Sequence, residues 1–96
     1  MNLLEAKAHV GRGWHDLVQM AYDLMPAATQ VVQVKEKFGM LRIYVTTSSD
    51  EYYEFLRRLE GLSGCICENC GDLGKLRPGG WIKTLCDKCQ EKRKEG

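Results

Sequence analysis

The chain has 96 residues, of which 44% are hydrophobic and 28% charged, and its formal net charge at pH 7 is +1. A chain of this length forms one domain, or a small domain with an appended module, around one modest core. Proteins that neutralise many phosphates are usually basic, so this small net charge argues against strong, sequence-independent binding of nucleic acid. No apolar run approaches the roughly 18 residues of a transmembrane helix, so we expect no association with a membrane.

Cysteine usage indicates the cellular compartment. The five cysteines are odd in number, and four of them form two CxxC pairs. Such a pattern is more typical of reduced, metal-binding thiols than of disulfides. No basic segment followed by an apolar one opens the chain, as a secretory signal requires. We therefore expect a cytoplasmic protein.

The N-terminal part of the chain predicts mainly helix. Residues 2–10 favour a short helix or an irregular arm, and Gly11-Arg12-Gly13 interrupts the pattern. An amphipathic helix ended by Pro26 is predicted next, because apolar residues recur at i, i+3, i+4 and i+7. These residues are Trp14, Leu17, Val18, Ala21, Leu24 and Met25. His15 and Asp16 accompany no nucleophile, so we interpret them as solvated residues at the start of this helix.

Residues 30–47 predict a β-hairpin. The first strand is rich in β-branched valines, and Gly39 permits the turn. In the second strand, apolar side chains alternate with polar and aromatic ones at period two, so one face is expected to lie on the core. The core-facing positions are Leu41, Ile43 and Val45.

A second amphipathic helix follows the hairpin. Ser48 and Glu51 fit a capping box, and the helix is expected to run to about Leu62. Its inner face is expected to carry Tyr52, Phe55 or Leu56, Leu59 and Leu62. The predicted fold class is therefore α+β, with a helix, an antiparallel β-hairpin and a helix, followed by a C-terminal four-cysteine zinc ribbon. We divide the chain into a small α+β domain (1–63) and a zinc-ribbon module (64–96) packed on it as one compact unit.

The zinc prediction depends on cysteine spacing. The pairs Cys67/Cys70 and Cys86/Cys89 are separated by fifteen residues, enough for a short hairpin between two zinc knuckles. Gly71 can adopt the left-handed conformation that closes the first knuckle. Four thiolates fill the tetrahedral shell of one structural Zn²⁺ and leave no open position, so we expect no enzymatic activity. Four thiolates and one Zn²⁺ together add −2, which brings the net charge of +1 to about −1.

Cys65 is the fifth thiol, and three roles are open to it. It could replace Cys67 as a ligand, although the longer spacing to Cys70 makes a poorer knuckle. It could be a redox-active thiol beside the metal, because nearby cations lower a thiol pKa. We favour a partly buried residue at the junction with the ribbon.

Between the knuckles the sequence predicts a turn followed by a strand. Arg77-Pro78-Gly79-Gly80 has the composition of a turn, and residues 81–85 are expected to form the strand that precedes Cys86. A small apolar cluster beside the metal is expected from Leu73, Leu76, Ile82 and Leu85. Trp81 either packs against the N-terminal domain, which we favour, or faces a partner. The charged residues 90–96 are expected to extend as a helix or to form a solvated end.

The candidate partner surface combines cations with aromatic rings. Its residues are Lys35, Lys37, Phe38, Arg42, Tyr44 and Trp81. The hairpin could be merely solvated, with Phe38 folded inward and Lys35 paired to a carboxylate. It could instead bind a protein through its aromatic residues. A third alternative is a small regulator or accessory factor that binds nucleic acid, gripping phosphates with the cations and stacking bases on the rings.

Three segments carry a resemblance that covers most of the chain after about residue 14. They are residues 34–44 (VKEKFGMLRIY), residues 67–71 (CENCG) and residues 81–86 (WIKTLC). Together they resemble a family of small uncharacterised phage, prophage and bacterial proteins with a KEKFGxLR strand-turn-strand segment and a C-terminal four-cysteine ribbon. The resemblance implies no activity, but it implies a gene carried by a phage or mobile element. Small proteins of that origin often bind and inhibit host proteins, including defence machinery, in the host-cell cytosol.

Overall fold

The computed structural model of the protein describes residues 1–95. Four α-helices, a short 3-10 helix and four strands follow one another along the chain. In chain order they are α1 (Leu3–Ala8), the 3-10 helix (Arg12–Trp14), α2 (His15–Asp23), β1 (Val31–Lys37), β2 (Met40–Val45), α3 (Asp50–Ser63), β3 (Lys75–Arg77), β4 (Lys83–Leu85) and α4 (Asp87–Glu95). The predicted α+β class is confirmed. No helix among residues 1–95 has the length and apolar character needed to cross a membrane.

The β1–β2 hairpin turns through only two residues. Lys37 pairs with Met40, and the residues between them, Phe38 and Gly39, have φ values of 53° and 80°. Two positive φ angles are typical of the type I′ turn, whose twist matches that of the flanking strands. The hairpin tip therefore holds Phe38 in a left-handed conformation that few large residues adopt.

A bulge in β1 lets two valines share the core face. The register shifts between Val31 and Gln33, so the extra residue, Val32, is turned outward and is 60% exposed. Val31 and Val34 are consequently both buried, although strict alternation would place them on opposite faces.

Helix α3 begins one residue later than predicted. Its N-cap is Ser49, whose hydroxyl accepts a hydrogen bond from the backbone N–H of Tyr52 at 3.1 Å. The Ser48 capping box is therefore wrong, because the Ser48 hydroxyl instead accepts from Thr29 Oγ1 at 2.7 Å. Placing Leu62 on the inner face is also wrong, since its side chain is 46% exposed.

The core lies between α1, α2, the hairpin and α3. Its buried members are Ala6, Trp14, Leu17, Val18, Ala21, Val31, Val34, Leu41 and Leu59. Phe55 and Leu56 both pack against this core at partial burial. Helix α2 ends at Asp23, before Pro26, and the following Leu24 is 60% exposed. The predicted apolar stripe is therefore correct except at Leu24, since Met25 also packs against the core.

Candidate metal centre

The first knuckle is a tight turn built around Cys67. Its N–H donates to the backbone oxygen of Asp72 at 2.7 Å, and its own carbonyl oxygen accepts from the N–H of Gly71 at 2.9 Å. Gly71 has φ +90°, a conformation that favours glycine because it has no Cβ. These bonds hold Cys67 and Cys70 on one side of the turn.

The second knuckle joins β4 to α4. Cys86 follows the last residue of β4, and its carbonyl oxygen accepts from the N–H of Gln90 at 2.9 Å, within the first turn of α4. The N–H of Cys89 points at Cys86 Sγ, 3.4 Å away. This contact places Cys86 Sγ against the first turn of α4.

The two knuckles bring four sulfur atoms together. The Sγ atoms of Cys67, Cys70, Cys86 and Cys89 all lie within 4.8 Å of one another, and the Cys70 and Cys86 sulfurs are 3.6 Å apart. A tetrahedral ion with sulfur ligands at 2.3 Å requires sulfur separations of about 3.8 Å. The four cysteines are therefore placed to hold one metal ion, and Cys65, which is exposed, lies outside the group.

The surroundings of the four thiols shift the pKa values of Cys67 and Cys89 in opposite directions. Burial opposes ionisation of Cys67, but the backbone N–H groups of Cys86, Cys70 and Asn69 outweigh it and lower its pKa to about 6. Burial and the neighbouring cysteine side chains together raise the pKa of Cys89 to about 12. The surroundings thus favour the thiolate of Cys67 and oppose that of Cys89. Four thiolates need a bound metal to balance their charge.

Glu68 connects the first knuckle to β4, a role that the sequence did not predict. Its side chain is 5% exposed, accepts from the backbone N–H of Thr84 at 3.1 Å and lies 3.5 Å from Lys83 Nζ. Burial raises its pKa, while the Thr84 N–H and the Lys83 cation oppose that rise. Its backbone N–H also donates to the carbonyl of Thr84 at 3.0 Å. The residue between the two ligands of the first knuckle therefore positions the strand that leads to the second.

The first knuckle packs against residues 11–13 of the α+β domain, the segment that interrupts the N-terminal helical pattern. The N–H of Gly13 donates to the carbonyl of Glu68 at 2.9 Å, and the indole N–H of Trp14 donates to the carbonyl of Ile66, also at 2.9 Å. A Cβ added at Gly13 would lie 1.9 Å from the Cys67 carbonyl oxygen. This segment must therefore approach the knuckle without a side chain at that position. The glycines were visible in the sequence, but their non-local contact was not.

The expected apolar cluster beside the metal forms only in part. Leu85 is fully buried, but Leu73 is 84% and Leu76 45% exposed, so including both leucines was wrong. Strand β4 starts at Lys83, not at Trp81. The ribbon is so small that its interior is filled mainly by Leu85 and the cysteines.

Phe38 and Trp81 are two exposed aromatic residues beside the hairpin turn. They are 65% and 68% exposed, so the expected packing of Trp81 is wrong, and Phe38 does not fold inward. Both line a cleft of about 310 Å³, which we call the tip cleft. Its lining residues are Glu36, Lys37, Phe38, Gly80, Trp81 and Ile82.

The other candidate partner residues divide between two environments. Lys35 Nζ lies 5.7 Å from the ring centroid of Tyr44, and Lys37 Nζ lies 5.9 Å from that of Phe38. Arg42 instead forms an ion pair with Glu60 of α3 at 3.1 Å. The structure thus brings Lys37, Phe38 and Trp81 to one cleft, with Lys35 on the same hairpin, while the Arg42 charge is already paired.

No protein-family model, curated protein or solved structure matches this chain. The cysteine group and the tip cleft are therefore interpreted from their own geometry. The first supplies a place for a metal ion, and the second supplies an exposed apolar surface beside lysine side chains.

Proposed function

We propose that Cys67, Cys70, Cys86 and Cys89 hold one structural Zn²⁺. The sulfur-only donor set and the separations within 4.8 Å support this assignment, because Zn²⁺ favours four thiolates in a tetrahedron. Cys67 and Cys86 are buried, which shields the metal. Four protein ligands leave no position for a substrate, and this closed shell supports a structural role.

We further propose that the protein is a non-enzymatic interaction protein, encoded by a phage or mobile element, that binds and modulates or inhibits a host protein in the host-cell cytoplasm. The observation that carries the proposal is the pair Phe38 and Trp81, about two-thirds exposed in one cleft. Large aromatic residues exposed together are typical anchors of protein interfaces. The resemblance to phage proteins supports the origin, and inhibition of host defence is the mode that we favour.

The metal would serve this surface by fixing β4. Trp81 precedes β4 and Cys86 follows it, so the ligands of the second knuckle restrain the strand at one end. Glu68 of the first knuckle binds the same strand through Thr84. A zinc ion that joins the knuckles would therefore hold Trp81 beside Phe38, although the two are distant in sequence.

The test is a pull-down of the zinc-loaded chain from nuclease-treated lysate of the bacterial host, compared with the double variant Phe38→Asn and Trp81→Ala. Asparagine tolerates the positive φ of position 38, so the turn is retained. The matched control is Leu4→Ala, which removes an apolar side chain that is 81% exposed on α1. A stoichiometric protein partner retained by wild type and control but lost by the double variant supports the proposal. Equal retention of that partner by the wild type, the control and the double variant contradicts the proposal.

Nucleic-acid binding is a second candidate, supported by the two lysine–aromatic contacts at the hairpin. Rings beside cations can stack bases while the cations bind phosphates. Binding of this kind would weaken steeply between about 50 and 200 mM salt, because counterions are released from the phosphates. A partner lost on nuclease treatment, with that salt dependence, favours this function over the first.

A further inference from the structure

We propose that the tip cleft binds an extended acidic peptide segment of the partner, which inserts one large apolar side chain between Phe38 and Trp81. This inference rests on the proposed function and names the chemistry of the partner. It combines three observations: the size of the cleft, the pairing of the charges around it, and the spacing of two lysines on β1.

The size of the tip cleft suits one anchoring side chain. Its volume of about 310 Å³ lies at the lower end of the range of ligand pockets. Two aromatic residues line it, each about two-thirds exposed. Burying these rings against an apolar side chain removes a large apolar area from water, which is the main source of affinity at an interface.

The charged side chains beside the tip cleft are two lysines and one glutamate, which leaves a net positive charge. Among the side chains described for residues 1–94, neither Lys35 nor Lys37 has a carboxylate at ion-pair distance, whereas Lys83 is paired with Glu68. Glu36 is the acidic residue of the lining, and its Oε2 accepts from the N–H of Gly39 at 2.7 Å. Two lysines therefore remain to be matched by carboxylates of a partner, and such a match gives specificity and faster association.

The spacing of these lysines indicates an extended peptide. Lys35 and Lys37 are alternate residues of β1, so they share one face of the hairpin about 6.6 Å apart along the strand. Acidic residues at positions i and i+2 of an extended peptide repeat at the same distance. Each ammonium lies near an aromatic ring, which restrains it while leaving its N–H donors available.

A single nucleic-acid strand suits these residues less well. Two unpaired lysines neutralise few phosphates, whereas the affinity of nucleic-acid binding comes mainly from many phosphate contacts. A peptide with two carboxylates needs only these two lysines, so the small number of free cations favours the acidic peptide.

The experiment measures fluorescence anisotropy with the full zinc-loaded chain. The probe is a labelled eight-residue peptide with two aspartates separated by one residue and a leucine beside them. We expect Phe38→Asn, Trp81→Ala and the pair Lys35→Glu with Lys37→Glu each to weaken binding by about tenfold or more. The charge control is Arg12→Glu, at an exposed position outside the cleft. A peptide with lysines in place of the aspartates should bind the Lys35→Glu, Lys37→Glu variant better than it binds wild type.

Three results would overturn the inference. One is an equal affinity for the peptide with asparagines in place of aspartates. The others are unchanged binding by the charge-reversed variant, and displacement of the peptide by oligothymidylate at lower concentration than by the unlabelled peptide. Metal content and a thermal unfolding transition equal to those of wild type show that each variant is folded. If the pull-down partner depends on Phe38 and Trp81 while no acidic peptide binds, the acidic-segment inference fails and the proposed function stands.

Discussion

The side-chain hydroxyl of Thr84 donates a hydrogen bond to the carbonyl oxygen of Gly39 at 2.6 Å, with both residues buried. Thr84 lies in β4, directly between Lys83 and Leu85, and Gly39 is the second residue of the hairpin turn. This bond joins the cysteine module to the α+β domain beside the tip cleft. It is therefore one of the contacts that keep Phe38 and Trp81 on the same cleft.

Replacing Thr84 with valine should destabilise the protein by about 1–3 kcal/mol, because the buried Gly39 carbonyl loses its donor while the side-chain shape is kept. The measurement is chemical denaturation of the zinc-loaded chain. The control is Thr47→Val at an exposed position, where we expect a change within about 0.5 kcal/mol. Equal stability of the two variants would show that the bond does not join the two parts of the chain.

Gly13→Ala should lower both stability and metal affinity. The added Cβ meets the carbonyl oxygen of Cys67 at 1.9 Å and the nitrogen of Gly71 at 2.6 Å, so the first knuckle has to move. We expect a loss of more than about 2 kcal/mol, as for other substitutions that force the backbone apart. Thermal unfolding and competition with a zinc chelator measure the two effects.

The matched control for that substitution is Gly61→Ala. Gly61 lies within α3 and has no atom within 4 Å of an added Cβ. Alanine at this helical site should raise stability by roughly 0.5–1 kcal/mol. A similar response of the two glycines to alanine would contradict the close approach of the 3-10 segment to the knuckle.

The free energy of unfolding should decrease at alkaline pH because the pKa of Tyr52 is raised in the folded protein. Burial raises its pKa to about 12, whereas an unfolded tyrosine has a pKa of about 10. The unfolded chain therefore holds fewer protons between these values, so this stabilisation is complete below pH 10 and declines as the pH rises towards 12. Denaturation at a series of pH values should show a shallower decline for Tyr52→Phe than for wild type.

The same variant should also be less stable at neutral pH. The Tyr52 hydroxyl donates to the carbonyl of Ala21 at 2.6 Å, and its removal leaves a buried acceptor unpaired at a cost of about 1–3 kcal/mol. Parallel pH profiles for wild type and Tyr52→Phe would show that another group causes the alkaline decline.

Metal removal should unfold the C-terminal module before the rest of the chain. Binding free energy in small thiolate sites is largely folding free energy, and the module buries few apolar side chains of its own. After chelation, amide hydrogen exchange should become fast at Cys67, Gly71 and Cys89. The amides of α2 should keep most of their protection, because that helix packs in the separate apolar core. Uniform loss of protection would instead indicate one cooperative unit.

Local patterns predicted the elements of this fold well. The CxxC spacing identified the four sulfurs that converge, and the helical periodicity identified the stripe that includes Leu17 and Ala21. The α3 cap was misplaced by one residue because Ser48 and Ser49 are equally suitable by type. Only the non-local contact with Thr29 assigns Ser48 to the loop.

Contacts between distant segments could not be predicted. The roles of Gly13 and Glu68 depend on how the first knuckle seats against the 3-10 helix and β4, which no local pattern encodes. Leu73 and Trp81 were assigned to the interior because they are large and apolar. The ribbon is too small to bury them, so both side chains remain exposed.

The central claim is that four cysteines and a single zinc ion build the module that carries Trp81. Zinc K-edge X-ray absorption on the purified protein tests it most directly, with Cys65→Ser as the matched control. We predict one zinc per chain with four sulfur ligands at about 2.3 Å, unchanged in Cys65→Ser and lost in Cys86→Ser. Nitrogen or oxygen in the ligand shell, or loss of the metal in Cys65→Ser, would contradict it.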